Sequence, residues 1–155
     1  MHLYLDEADQ KGLDSMSDTV NRRTILQTLA AGLALAARGE SAQIPDEVVL
    51  KEKAKFSAHP FGDLRVYLDG TTDQLKGLSV GSLELKAGQS PHPPHTHSDE
   101  EIILVTDGHA EISIGNQITK AGPGSVMYVG SNHLHGIVNT SKAPMTFYYI
   151  KWTAK

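Results

Sequence analysis

The sequence predicts an all-β fold, a sandwich or barrel of short antiparallel strands, on three observations. From about Phe56 onward, short apolar runs are punctuated by turn residues at regular intervals. Asp107-Gly108 and Gly115-Asn116 each stand between two such runs, a strong signal for tight hairpins. No helical stretches alternate with these runs, as a parallel sheet would require.

Taken in order, Leu64 to Leu68 reads as a strand closed by Asp69-Gly70. Leu75 to Lys86 is longer. Its Leu78 and Val80 lie in one phase and its Leu83 and Leu85 in the other, which predicts a bulge or bend near Gly81-Ser82. Ile102 to Val105, His109 to Ile114 and Gln117 to Lys120 are joined by the two hairpin turns. Gly122-Pro123-Gly124 precedes Ser125 to Val129, Gly130-Ser131-Asn132 precedes His133 to Val138, and Ser141 to Pro144 precedes Met145 to Trp152. Eight strands are therefore expected.

The chain has 155 residues, enough for one core and hardly for two. Its net charge of -4 offers no basic surface for phosphates, so nucleic acid is not an expected partner. It has no cysteine, which excludes disulfides, thiolate metal sites and cysteine nucleophiles.

The N-terminal part reads differently. An acidic, polar stretch leads to Arg22-Arg23 and then to the alanine-rich run Thr28 to Ala37, with small residues at Ala34 and Ala36. This is similar to a twin-arginine export signal and is too short to span a bilayer. Met16 would give that signal an ordinary start. Export implies a periplasmic or secreted protein, whereas an ordinary helix here implies a cytoplasmic one. Residues 38–47 read as a linker, which divides the chain into an extension, 1–47, and a β domain, 48–155.

His92, His95, His97, His133 and His135 crowd one region of the β domain. Side chains two apart on a strand share a face about 6.5–7 Å apart, a gap two imidazoles bridge by converging on one ion. His95 and His97 have that spacing. Glu101 would lie roughly 13 Å beyond His97 on a straight strand, so Ser98-Asp99-Glu100 must turn the chain back. Glu100 is the rival carboxylate, but Glu101 heads the apolar run Ile102 to Val105 and is favoured. His133, His135 and Asn139 share parity on a later strand, so a third imidazole can enter from across the barrel. His92, in the proline-rich stretch Ser90 to Pro94, reads as exposed or supporting, and His133 as a rim residue. Imidazoles and a carboxylate without sulfur suit one divalent transition metal ion: manganese, iron, nickel, copper or zinc.

Gly88, His95-Thr96-His97, Glu101 and Gly108 resemble the first cupin motif, G(X)5HXH(X)3-4E(X)6G, with the leading glycine one residue early. Gly124, Gly130, Asn132, His135 and Asn139 fall on the second, G(X)5PXG(X)2H(X)3N, with Gly130 replacing its proline and Asn132 its glycine. The resemblance spans about residues 60 to 152. It implies a double-stranded β-helix, a jelly-roll barrel, with His95, His97, Glu101 and His135 as metal ligands and Asn139 in a structural role. It also implies a homodimer formed through barrel strands, with C-terminal tyrosines and the tryptophan as contacts.

Four protein ligands on an octahedral ion leave two positions for water or substrate, which chemistry requires. A metal-dependent enzyme of oxygenase, isomerase or lyase type, acting on a small polar organic molecule, is the leading expectation. A non-catalytic module binding a small ligand is the alternative. His133, Tyr128 and Glu100 are the candidate proton-transfer groups.

Overall fold

The structure is a computed structural model and describes residues 41–155. The expected signal or helix of residues 21–37 lies outside the described residues. No described helix is long and apolar enough to cross a membrane.

Among the described residues, nine strands form two antiparallel sheets. The larger contains β1 (Lys55–His59), β2 (Gly62–Gly70), β3 (Leu75–Leu85), β9 (Met145–Ala154), β4 (Glu100–Asp107) and β7 (Val126–Val129), in that order. The smaller contains β6 (Gln117–Ala121), β5 (Ala110–Ile114) and β8 (His135–Asn139). The eight expected strands are all present, and Gly115-Asn116 closes the expected hairpin of β5 with β6, but Asp107-Gly108 does not close one: β4 and β5 pass there from one sheet to the other. The ninth, β1, carries too few apolar residues to announce itself and is set by its hairpin to β2, with His59 paired to Gly62.

The expected irregularity near Gly81 is found on the neighbouring strand. Val66 pairs with Gly81 and Leu68 with Val80, so Tyr67 of β2 is the extra residue. A bulge belongs to whichever strand can spare a residue. Tyr67 stacks on Tyr148 outside the barrel, at 6.0 Å between ring centroids, and needs no place in the core. Residues 42–44, read as linker, pair with Thr71: Ile44 N donates to Thr71 O at 2.9 Å and Thr71 N to Ala42 O at 3.0 Å.

Alternation sorts the side chains into two faces. Leu83, Leu85, Val105, Met145 and Phe147 of the large sheet face inward and form the core with Ala110, Ile112 and Ile137 of the small one. The outer face carries Leu104, Val126, Tyr128, Tyr148 and Ile150, all exposed. Apolar residues fill one end of the inner face. Toward the other end the register places Asp69, Ser79, Lys151 and Glu101 in one row across β2, β3, β9 and β4.

Asn139 fastens the apolar end. Fully buried, its Nδ2 donates to the carbonyls of Leu85, Lys86 and Ala143 at 3.0, 3.1 and 2.8 Å, while its Oδ1 accepts from the Ser141 backbone N at 2.9 Å. The structural role expected of Asn139 thus has a physical basis: one amide joins three chain segments.

Candidate metal centre

The His95–His97 segment is not a regular strand, contrary to the sequence reading, because the prolines before it withhold the backbone donors that a ladder needs. It is pinned instead along β8 and the turn before it. Ser90 Oγ donates to Ile137 O at 2.7 Å, and His95 and His135 exchange backbone hydrogen bonds of 2.9 and 3.0 Å. Asn132 N donates to His97 O at 2.7 Å. Asn132 has φ 61°, a left-handed conformation that asparagine tolerates, which explains how it replaces a motif glycine.

This pinning brings together three imidazoles. His95, His97 and His135 each present a ring nitrogen, all within 4.8 Å of one another. Glu101 enters from β4, on the opposite sheet, and is 7% exposed. Its Oε2 stands 3.1 Å from His97 Nε2 and 3.0 Å from His135 Nε2. The four residues singled out in the sequence therefore share one place.

Two backbone carbonyls orient the rings. His97 Nδ1 donates to Asp99 O at 3.0 Å and His135 Nδ1 to His133 O at 2.8 Å. With Nδ1 carrying the hydrogen, a neutral ring turns a bare Nε2 lone pair toward Glu101. Two imine nitrogens and a carboxylate oxygen at such distances repel unless they share a cation, either a proton or a metal ion. His95 Nδ1 is buried without a hydrogen-bond partner. The donor set thus fits the expected divalent transition metal ion.

The electrostatics agree. Burial, with His92, His135 and His97 nearby, pushes His95 down from 6.5 to about 4, so it stays neutral and ready to bind. His135 is raised, first by its hydrogen bond to Glu101 and against the effect of burial. For Glu101, burial is the largest influence and acts upward, but hydrogen bonds from His135 and His97 and the charge of Lys151 together hold it below its ordinary value.

Several other expectations resolve here. Glu100 points away and accepts a hydrogen bond from Tyr128 Oη at 2.9 Å on the exposed face, so neither is a proton-transfer group for this site. His133 lies in the exposed turn before β8 rather than in the strand, which begins at His135. The wide turn from Gly130 to Leu134 displaces it. His92 packs its ring against His95 at 3.9 Å between centroids, a supporting position.

Sequence reasoning missed Lys151 and understated Tyr149. Both face inward on β9, with Lys151 paired to Glu101 and Tyr149 to Ile103. The alternation of Met145, Phe147, Tyr149 and Lys151 was the available signal. The Tyr149 ring lies over Gly81, where a Cβ would stand 2.5 Å from its Cζ, so the glycine makes room for it. Burial raises the Tyr149 phenol above its ordinary value, with Ser79 opposing by a hydrogen bond. A separate open cleft of about 510 Å³, lined in part by Ile112, Ile114, Val126 and Tyr128, includes none of the four cluster residues.

Residues 81–151 match the family model described as "Cupin domain", and the two-sheet barrel has the cupin fold. Similar solved structures share the fold at low identity. An RmlC-like cupin from Shewanella frigidimarina has 14% identity and a TM-score of 0.60, covering 76% of this chain and 96% of that one. KdgF from Halomonas sp. has 15% identity and a TM-score of 0.58, covering 69% and 94%. The polyketide cyclase RemF from Streptomyces resistomycificus has 19% identity and a TM-score of 0.56, covering 68% and 78%. Comparison with curated proteins finds no match.

Proposed function

We propose that this cupin domain holds one divalent transition metal ion through His95, His97, Glu101 and His135 and acts as a metal-dependent enzyme on a small polar organic molecule. The observation that carries the reading is the shared approach of His97 Nε2 and His135 Nε2 to Glu101 Oε2, with both Nδ1 atoms already committed to backbone carbonyls. Bound there, such an ion supplies a Lewis acid with coordination positions open to substrate. Glu101 supplies the negative charge that offsets part of the ion's, and His135, the buried imidazole, closes the side toward the small sheet. The likeness to a polyketide cyclase is compatible with chemistry on this fold but does not choose a reaction, because one fold hosts many activities.

The test is to load the purified protein, without a polyhistidine tag, with each candidate metal. Small phenols, enols and keto acids are then screened for oxygen uptake and for product by NMR. Turnover with one metal, lost in His135→Ala, is expected. A fully loaded protein that binds these compounds without turnover would favour the binding module instead.

The reading includes a homodimer, supported by the exposed Tyr148 and Ile150 beside Leu104 on the outer face. Sedimentation at micromolar concentration should give twice the 16.8 kDa chain mass, and a monomer there would remove this part. Delivery by a twin-arginine route is proposed from the sequence alone, and fractionation of cells expressing the full chain tests it.

A further inference from the structure

Lys151 is a cation on the inner face of a barrel. It pairs with Glu101 on β4 and Ser79 on β3, and directly paired side chains on one sheet face lie with Cβ atoms about 4.5–5.5 Å apart. Its Nζ sits 5.7 Å from the centre of the Tyr149 ring, so the side chain runs along the inner surface. The residue is half-buried and forms no ion pair with a carboxylate among the described residues. The negative charge nearest to it across the sheet is that of Glu101, its register partner, and a metal ion held by Glu101 would claim that carboxylate and leave the inward-facing ammonium to a ligand's negative charge.

Charge counting points the same way. Glu101 is the acidic group within the imidazole cluster, and it is shared between His97 and His135. Asp99 accepts from Thr153 Oγ1 and stands with Oδ2 3.8 Å from His97 Nδ1, on the ring edge away from Glu101, and Asp69, at the far end of the row, is exposed. A divalent ion with neutral imidazoles and one carboxylate keeps one positive charge and Lys151 adds a second, which Asp99 offsets in part from the far edge of the His97 ring. Such a site is complementary to an anion.

We propose that Lys151 is the anion-recognising residue of this site and that the natural ligand is a small organic acid, its carboxylate held by the Lys151 ammonium beside the metal cluster. The inference rests on the metal reading above and narrows its substrate class from polar molecules to carboxylates. Tyr149 walls the same space, with Gly81 beneath it. Arginine conserves the charge at position 151 and methionine removes it at similar length.

The experiment uses the metal-loaded full chain, with malonate and its neutral counterpart malonamide as probes, in titration calorimetry. Metal content is measured on the same samples. Wild type should bind malonate in preference to malonamide. Lys151→Met should keep its ion and weaken malonate roughly tenfold to a hundredfold, the range of a charge-assisted contact, leaving malonamide unchanged. Lys151→Arg should recover most of the affinity. A loaded wild type that does not prefer malonate overturns the proposal even if no variant folds. Loaded Lys151→Met binding malonate as wild type does overturns it as well, leaving the metal reading intact. A wild type that holds no ion overturns both.

Discussion

His135 Nε2 and Glu101 Oε2 meet at 3.0 Å although 34 residues separate them, each arriving from a different sheet. The His133 carbonyl fixes the ring on one side, and the register of β4 with β7 and β9 fixes the carboxylate on the other. Both partners are held by backbone geometry, so the cluster is formed before any ion arrives, and binding need not order it.

The pH dependence of the metal-free protein has three separable signs. His95 is depressed to about 4, so its contribution is present above 6.5 and lost as pH falls toward 4. Glu101 is also lowered, so its contribution is present above 4.5 and lost as pH falls through its folded value. His135 is raised, so its contribution is complete below 6.5 and lost as pH rises through its folded value. Urea unfolding in chelator should show the advantage of wild type over His135→Gln shrinking with rising pH. The advantage over His95→Gln should shrink with falling pH, and parallel curves for the two variants would contradict the assignment.

Asn139→Ala should destabilise the fold by about 3 kcal/mol, because the buried carbonyl of Leu85 and the partly buried ones of Lys86 and Ala143 lose their shared donor at once. Metal stoichiometry of the folded fraction should be unchanged. Equilibrium denaturation with metal analysis checks both, and a loss below about 1 kcal/mol would contradict the clamp.

Gly81→Ala places a Cβ within 2.4 Å of the Tyr149 hydroxyl. The ring must swing away, at a cost of about 1–3 kcal/mol, and near-ultraviolet circular dichroism should report it. Gly81→Ala combined with Tyr149→Ala should recover part of the loss, whereas additive losses would contradict direct contact.

The strands and the Gly115-Asn116 hairpin were legible in the sequence because alternation and two-residue turns are local signals. Asp107-Gly108 carries the same local signal at a crossing between sheets, which only the long-range pairing of β4 with β9 and of β5 with β8 decides. The third histidine was legible because the Gly124 to Asn139 spacing is rigid. His133 was not, because parity counted back from His135 assumes a strand that the Gly130–Leu134 turn interrupts. β1 escaped because pairing with β2, and not its own composition, makes it a strand. Tyr128 and Glu100 looked chemically useful by residue type, yet strand parity turns both outward. The same parity turns Lys151 inward, which no residue scale announces.

Metal content tests the central claim most directly. Wild type, His97→Ala, Glu101→Gln and His135→Ala would be loaded identically, dialysed at neutral pH and measured by elemental mass spectrometry, with circular dichroism confirming the fold. One ion per wild-type chain is predicted, with loss from both histidine variants and weakened retention in Glu101→Gln. Folded His97→Ala and His135→Ala proteins carrying as much metal as wild type would contradict the account.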